Sequence, residues 1–283
     1  MFAAAGAPGS ALGEAGRPFA LALDSQGDVY LADYGGHRVQ KLSPNGQLLA
    51  QWGGRGKGPG QFDSPWGVAV DRAGNIYVGD TGNNRIQKLA PTGQPLAEWG
   101  TAGTAAGQFQ APSRLAVDGQ GNLYVADSLN HRIQKLAPSG QPLAQWGGLG
   151  ADPGQFSSPA GLALDEQGNL YIADRGNHRI QKLSPTGAPI AQWGKLGTAP
   201  GQFSAPIAVA VDAQENLYVD DAGNQRIQEL SPTGQPLAEW GSVGSDPGQF
   251  KDPWDLTLDR QGNLYVADLG NRRVQKLDLS GQP

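Results

Sequence analysis

The three histidines of the chain are its most obvious candidate metal ligands. His131 and His178 are 47 residues apart, and His37 precedes His131 by twice that interval, so all three occupy one position of a repeat. The other copies of that position carry Asn84, Gln225 and Arg272. Zinc ligands lie about 2.0–2.1 Å from the metal, and residues supplied one per repeat converge only near a common axis. We therefore predict a structural loop role for these histidines and no metal site.

Acidic residues that break the repeat are candidates for acid–base chemistry or for binding a cation. Asp220 replaces the alanine or glycine of the other copies, and Asp255 stands three repeats away from Arg114 at one shared position. Clustered carboxylates in a cleft can act as a base or bind a cation. Asp220 and Asp255 are thus candidate catalytic residues, with Ca²⁺ as a possible cofactor, although Ca²⁺ takes six to eight oxygens. The alternative is neutral drift or an ion-pair network in a wet channel.

An aspartate and an arginine flank the same turn in every repeat, as Asp80 and Arg85 do in the second copy. Sixfold repetition favours a structural ion pair or hydrogen-bond clamp over catalysis. Another aspartate ends an apolar run in each copy and is followed by turn residues, as Asp71 is by Gly74. Such a side chain typically accepts backbone hydrogen bonds within the turn.

Aromatic residues mark a second symmetry-breaking position, directly after a repeated proline. In chain order the copies carry Phe19, Trp66, Ser113, Ala160, Ile207 and Trp254. A site for one asymmetric ligand has to lie where the copies differ. We therefore predict ligand-binding residues at the mouth of a central channel, namely Phe19, Trp66, Arg114, Ile207, Asp220, Trp254 and Asp255.

The elements that position these residues follow from the repeat itself. Gly-Gln-Phe recurs at Gly60, Gly107, Gly154, Gly201 and Gly248, and two aspartate columns add a sixth copy. A period of 47 residues without insertions indicates a repeat architecture. In the second copy, strands are predicted over Gly67–Val70, Ile76–Gly79, Arg85–Leu89 and Pro95–Trp99, with positive φ at Gly82 and Asn83. The first two strands are continuously apolar, which predicts cover on both faces, and the outer two are more polar.

The predicted fold is all-β, a single domain over residues 1–283 that forms a six-bladed β-propeller with four antiparallel strands per blade. The chain is one residue longer than six repeats of 47, so Met1–Ala5 falls at the repeat position of the missing last strand. We predict that this N-terminal strand joins the last blade and closes the ring, which protects an otherwise unpaired edge.

The segments Pro65–Asp71, Gly74–Val78 and Asn84–Lys88, which recur in order in all six copies, resemble the NHL repeat. The resemblance extends over essentially the whole chain. The resemblance implies a propeller used as a binding platform in varied settings, among them bacterial sensor ectodomains, RNA-binding regulators and a few enzymes such as peptide-amidating lyases. Fold alone does not select among these functions.

Composition narrows the choice of partner. A net charge of −5 and a pI near 5.2 disfavour nucleic acid, because affinity for a phosphate backbone comes largely from Lys and Arg. No apolar run is long enough to span a membrane, and the absence of cysteine leaves the redox compartment open. We expect a soluble monomer of undetermined location, with an extracytoplasmic one possible.

These observations favour a non-enzymatic binding or scaffold propeller that holds a small molecule, peptide or protein at the face around the channel mouth. A Ca²⁺-assisted hydrolase or lyase working in the channel is the first alternative. The uniform period also fits a designed or otherwise symmetric scaffold without a natural ligand.

Overall fold

A computed structural model of the protein describes residues 16–278 and shows six antiparallel sheets arranged as the blades of a β-propeller. Blades one to five have four strands in sequential order, and the described part of blade six has three. The strands are β1 Pro18–Leu23, β2 Val29–Asp33, β3 Arg38–Leu42, β4 Leu48–Gly53, β5 Gly67–Val70, β6 Ile76–Asp80, β7 Arg85–Leu89, β8 Pro95–Trp99, β9 Pro112–Val117, β10 Leu123–Asp127, β11 Arg132–Leu136, β12 Pro142–Gly147, β13 Pro159–Leu164, β14 Leu170–Asp174, β15 Arg179–Leu183, β16 Pro189–Trp193, β17 Ala208–Val211, β18 Leu217–Asp221, β19 Arg226–Leu230, β20 Pro236–Trp240, β21 Pro253–Leu258, β22 Leu264–Asp268 and β23 Arg273–Leu277.

The only helices among residues 16–278 are single 3₁₀ turns between the second and third strands of blades two to six. They cover Thr81–Asn83, Ser128–Asn130, Arg175–Asn177, Ala222–Asn224 and Leu269–Asn271. None is long and apolar enough to cross a membrane.

The hairpin between the first and second strands is held by its aspartate, as the sequence predicts. Asp71 Oδ1 accepts hydrogen bonds from the backbone N–H groups of Ala73 and Asn75, each at 2.9 Å. Gly74 closes the turn with a φ of +82°, a conformation open to glycine at no steric cost. The same turn in blade five has Glu215 at φ +63°, which is uncommon for a residue with a side chain.

The repeated aspartate–arginine pair is a clamp, as predicted. Asp80 is fully buried and accepts hydrogen bonds from Asp63 N at 2.7 Å, Arg85 Nε at 2.7 Å and Gln87 Nε2 at 3.1 Å. Arg85 Nη2 donates in turn to the carbonyl oxygen of Gly58. The third strand is polar as predicted, yet its glutamine is buried because it belongs to this clamp. The clamp fixes the long loop that enters each blade.

The residue with a positive φ after the second strand lies one position later than predicted. Gly82 and Asn83 belong to the 3₁₀ turn, and Asn84 has the positive φ of 53°. In blades one to five the side chain at this position accepts a hydrogen bond from a backbone N–H of the following loop, as His131 Nδ1 does from Ser158 at 2.9 Å. All three histidines make this contact, so their geometry is that of the predicted structural role.

The hydrophobic core lies between blades. Tyr30 and Ala32 of blade one pack against Val68, Ile76 and Val78 of blade two, and the same arrangement recurs around the ring. Full burial of one such large side chain contributes about 1.5–3 kcal/mol.

Blade six closes the ring onto blade one within the described residues. Tyr265 and Ala267 pack against Leu21 and Leu31. The strand predicted at Met1–Ala5 lies outside the described residues, and so does the prediction that it joins the last blade.

Candidate functional site

The first strand of every blade lines a cavity on the axis of the ring. This axial cavity has a volume of about 260 Å³ and is bordered by residues such as Leu21, Val68, Leu115, Leu162 and Val209. Apolar side chains and strand backbone make up most of its wall. Its two charged lining residues are Arg114 and Asp255.

Arg114 and Asp255 meet across the axis, as expected for positions three blades apart. Arg114 Nε lies 3.0 Å from Asp255 Oδ1, and both side chains are almost fully buried. The guanidinium also donates to the carbonyl oxygens of Trp66, at 2.9 Å, and of Trp254. Asp255 Oδ2 accepts the N–H of Leu21 at 2.7 Å. One buried ion pair therefore ties blades one, two, three and six together at the centre.

Asp220 is the one buried acid of the described chain whose two carboxyl oxygens both lack a hydrogen-bond partner. Its side chain has 0% exposure. Burial raises the pKa of Asp220 well above its ordinary value, the nearby Asp255 carboxylate raises it further, and Arg114 opposes both. A charged carboxylate is costly to bury without a partner, so the fold favours the neutral, protonated form of Asp220.

Asp255 differs from Asp220 because its neighbours stabilise the charged form. Burial raises the pKa of Asp255, while Arg114 and the backbone N–H groups of Leu21 and Leu256 lower it. With its oxygens held by a guanidinium and an amide, Asp255 has the geometry of an ion-pair partner. The structure thus places the two candidate acids close together; the pKa of both is raised, but only Asp255 has hydrogen-bond partners.

The predicted aromatic residues form one stacked cluster on the face where each first strand begins, here called the top face. Phe19 lies 5.7 Å from Trp66 and 4.9 Å from Trp254, measured between ring centroids. Tyr34 stacks on Phe19 at 4.5 Å, and Phe19 is only 6% exposed. Phe19 therefore supports the two tryptophans from beneath, while Trp66 and Trp254 are half-buried and face a neighbouring cavity.

This top-face cavity has a volume of about 150 Å³. Its walls include Trp66, Trp254, Ile207 and Ala160, and Arg114 and Arg175 supply charge. Its lining residues are Trp66, Ala111, Ser113, Arg114, Ser128, Leu129, Ser158, Ala160, Arg175, Ile207 and Trp254. Four of the seven predicted ligand-binding residues thus line it, whereas Phe19, Asp220 and Asp255 lie behind the wall.

Several residues of this region were not among the predicted ones, notably Tyr34 of the aromatic cluster and the lining residues Ser128, Leu129 and Arg175. Tyr34, Ser128 and Arg175 occupy one repeat position, directly after the second repeated aspartate, where the copies all differ. Leu129 follows at a position that is glycine in the other five copies. Symmetry breaking, the signal used for the tryptophans, was therefore present in the sequence at both positions.

The donor set for a metal is poor in this region. Residues 16–278 contain no group of three or more His, Cys, Asp or Glu side chains that could hold a metal ion. Calcium takes six to eight oxygens, and Asp255 is already committed to Arg114. The residues present do not fit the calcium centre considered from the sequence.

Comparison with protein families identifies NHL repeats at residues 17–42, 62–89, 109–136, 156–183 and 250–277. The blade without a match is blade five, which has the same strand arrangement as the others. Blade five departs from the repeat at Glu215, Asp220 and Glu229, which replace glycine, a small residue and lysine. A comparison with curated proteins finds no match.

Solved structures with the same fold include several enzymes. The chain is similar to a streptogramin B lyase structure, with 18% identity, a TM-score of 0.66 and coverage of 90% of this chain and 77% of that one. A catalytically inactive virginiamycin B lyase from Staphylococcus aureus, with quinupristin, has 18% identity, a TM-score of 0.65 and coverage of 90% and 78%. A gluconolactonase from Xanthomonas campestris has 18% identity, a TM-score of 0.66 and coverage of 91% and 84%. At these identities the similarity shows the fold alone.

Proposed function

Because the chain is a six-bladed β-propeller of the NHL-repeat family, whose fold serves many functions, we propose a function from its site: it binds a small molecule, or one apolar side chain of a peptide, in the top-face cavity. The observation that carries this proposal is the cavity lined by Trp66 and Trp254, whose repeat position differs among the six copies. Residues needed only for the fold recur in every blade.

The chemistry of the wall suits such a ligand. Trp66 and Trp254 offer aromatic surface, and their ring centroids lie 6.5 Å apart in an edge-to-face arrangement. Ile207 and Leu129 add aliphatic surface, and the cavity is mostly apolar with a few polar groups, which is typical of ligand sites. Its 150 Å³ is close to the volume of an engineered cavity that accepts benzene. A single aromatic ring is therefore a suitable probe.

The repeat itself supplies a substitution that fills the cavity. Ala160 lines it and occupies the same repeat position as Trp66 and Trp254, so the backbone at that position is compatible with tryptophan. We expect Ala160→Trp to abolish binding of benzyl alcohol while near-UV circular dichroism and the melting temperature stay close to those of the parent. Binding is measured from shifts of the indole ¹⁵N–H signals of Trp66 and Trp254.

Leu237→Ala, on the exposed outer strand β20, is the matched control and should bind benzyl alcohol as the parent does. Loss of binding in Trp254→Ala with retention in Leu237→Ala supports the proposed site. Unchanged shifts in Ala160→Trp would place the binding elsewhere. A complete absence of shifts in the parent protein would favour the symmetric scaffold without a ligand.

A further inference from the structure

The charges around the top-face cavity are unbalanced. Two arginines line it, and its lining includes no aspartate or glutamate. The charge of Arg114 is neutralised by Asp255 at 3.0 Å. Arg175 is exposed, has no carboxylate partner among the described residues, and places its guanidinium carbon 5.9 Å from the ring centre of Trp254. The rim therefore carries one uncompensated positive charge beside an aromatic wall.

A second observation points to a missing hydrogen-bond acceptor. The indole Nε1–H of Trp66 is buried and has no partner within residues 16–278. Buried tryptophan N–H groups usually find an acceptor, and leaving such a donor unpaired costs about 1–3 kcal/mol. The serine hydroxyls of the wall do not fill this role: Ser113 and Ser128 bond to each other at 2.7 Å and to backbone carbonyls, and Ser158 is not bonded to the indole either.

The size of the cavity limits what can meet both requirements. A volume of about 150 Å³ admits one aromatic ring but not two. A ring packed against Trp66 and Trp254 leaves a short substituent to reach the rim, where Arg175 lies. Guanidinium groups bind carboxylates through charge-assisted and often bidentate hydrogen bonds.

We propose, resting on the proposed function of this cavity, that its ligand is a small aromatic carboxylate, whose ring packs against Trp66 and Trp254 and whose carboxylate pairs with Arg175. Arg175 is then the residue that determines specificity for charge, and the tryptophans determine specificity for shape. The carboxylate oxygens also supply acceptors of the kind that the Trp66 indole lacks.

Three probes test this selectivity: benzoate and benzamide, which have nearly the same shape but differ in charge, and the cationic benzylamine. Titrations followed at the indole ¹⁵N–H signals of Trp66 and Trp254 should show benzoate binding at least about tenfold more tightly than benzamide, equivalent to about 1.4 kcal/mol. Benzylamine should bind more weakly than both. Arg175→Gln should reduce the affinity for benzoate to that for benzamide and leave benzamide unaffected.

Arg72→Gln is the matched control, since Arg72 is an exposed arginine at the opposite end of the strands. It should leave the preference for benzoate intact. If benzoate and benzamide bind equally well and Ala160→Trp abolishes the binding of both, the carboxylate selectivity is overturned but the proposed function stands. A preference for benzoate that persists in Arg175→Gln overturns the role of Arg175, and no shift with any probe overturns both proposals.

Discussion

Replacing Asp220 by alanine is expected to stabilise the protein, and increasingly so as the pH rises. The carboxyl group is fully buried and both of its oxygens lack partners. Burial of a polar group without a hydrogen bond costs about 1–3 kcal/mol. Alanine occupies this position in four of the other five blades, so the backbone accepts it. The space vacated by the carboxyl group offsets the gain by about 1 kcal/mol.

The pH dependence follows from the raised pKa of Asp220. Between the ordinary aspartate pKa of about 3.9 and the raised value in the fold, the unfolded chain releases a proton that the native state retains. In that window the stability of the parent falls as pH rises, by about 1.4 kcal/mol per pH unit. Asp220→Ala lacks this contribution, so its stability advantage over the parent should grow with pH throughout that window.

Urea denaturation of parent and variant at pH 5, 6 and 7, followed by tryptophan fluorescence, measures this difference. Asp220→Asn should remove the pH-dependent part while it retains the cost of a buried polar group. Glu166→Gln removes an exposed carboxylate and should leave the pH profile of the parent unchanged. Parallel profiles for parent and Asp220→Ala would refute the reasoning, because they would show that Asp220 is ionised in the fold.

Three further substitutions test other contacts, each by the free energy of unfolding in urea. Asp80→Ala leaves the Arg85 guanidinium without its buried carboxylate and should cost about 3–5 kcal/mol; a loss below about 1 kcal/mol would contradict a clamp. Thr81→Val removes a 2.6 Å hydrogen bond from the blade-two turn to the next blade and should cost about 1 kcal/mol, whereas no loss would show that the bond is dispensable. Glu229→Lys restores the lysine of the other blades opposite Asp212 and should stabilise the fold by about 0.5–1 kcal/mol at pH 7. The gain in stability should be smaller at pH 4, because burial raises the pKa of Glu229 and its carboxylate is then partly neutralised in the parent. A loss of stability at pH 7 would contradict this account.

Much of the fold was predictable because every blade repeats the same local chemistry. The strands predicted at Gly67–Val70, Arg85–Leu89 and Pro95–Trp99 have the observed bounds, and Ile76–Gly79 is one residue short. The turn aspartates, the turn glycines and the polar clamp recur at the same positions of each repeat, so six copies of the sequence support each predicted strand and turn. The positive φ was misplaced because Asn84 follows a 3₁₀ turn that the spacing did not indicate.

The candidate site was only partly predictable. The sequence indicates that Phe19, Trp66 and Trp254 are neighbours, but not that Tyr34 stacks on Phe19 and so buries it. Arg175 was not predicted although its repeat position differs in every copy, because its approach to Trp254 depends on side-chain packing between blades. Spacing therefore predicts which positions share a face, whereas exposure depends on the sizes of the side chains that cover them.

The central arginine decides how molecules can reach the cavity. Arg114 lines both the axial and the top-face cavity, and its guanidinium is bonded to three other residues around the axis. A ring of six blades would otherwise form a tunnel open at both ends. Because Arg114 lies where the axial and top-face cavities adjoin, we expect the proposed ligand to enter and leave the top-face cavity through the top face. Substitutions at the far end of the ring should then leave the exchange rate of that proposed ligand unchanged.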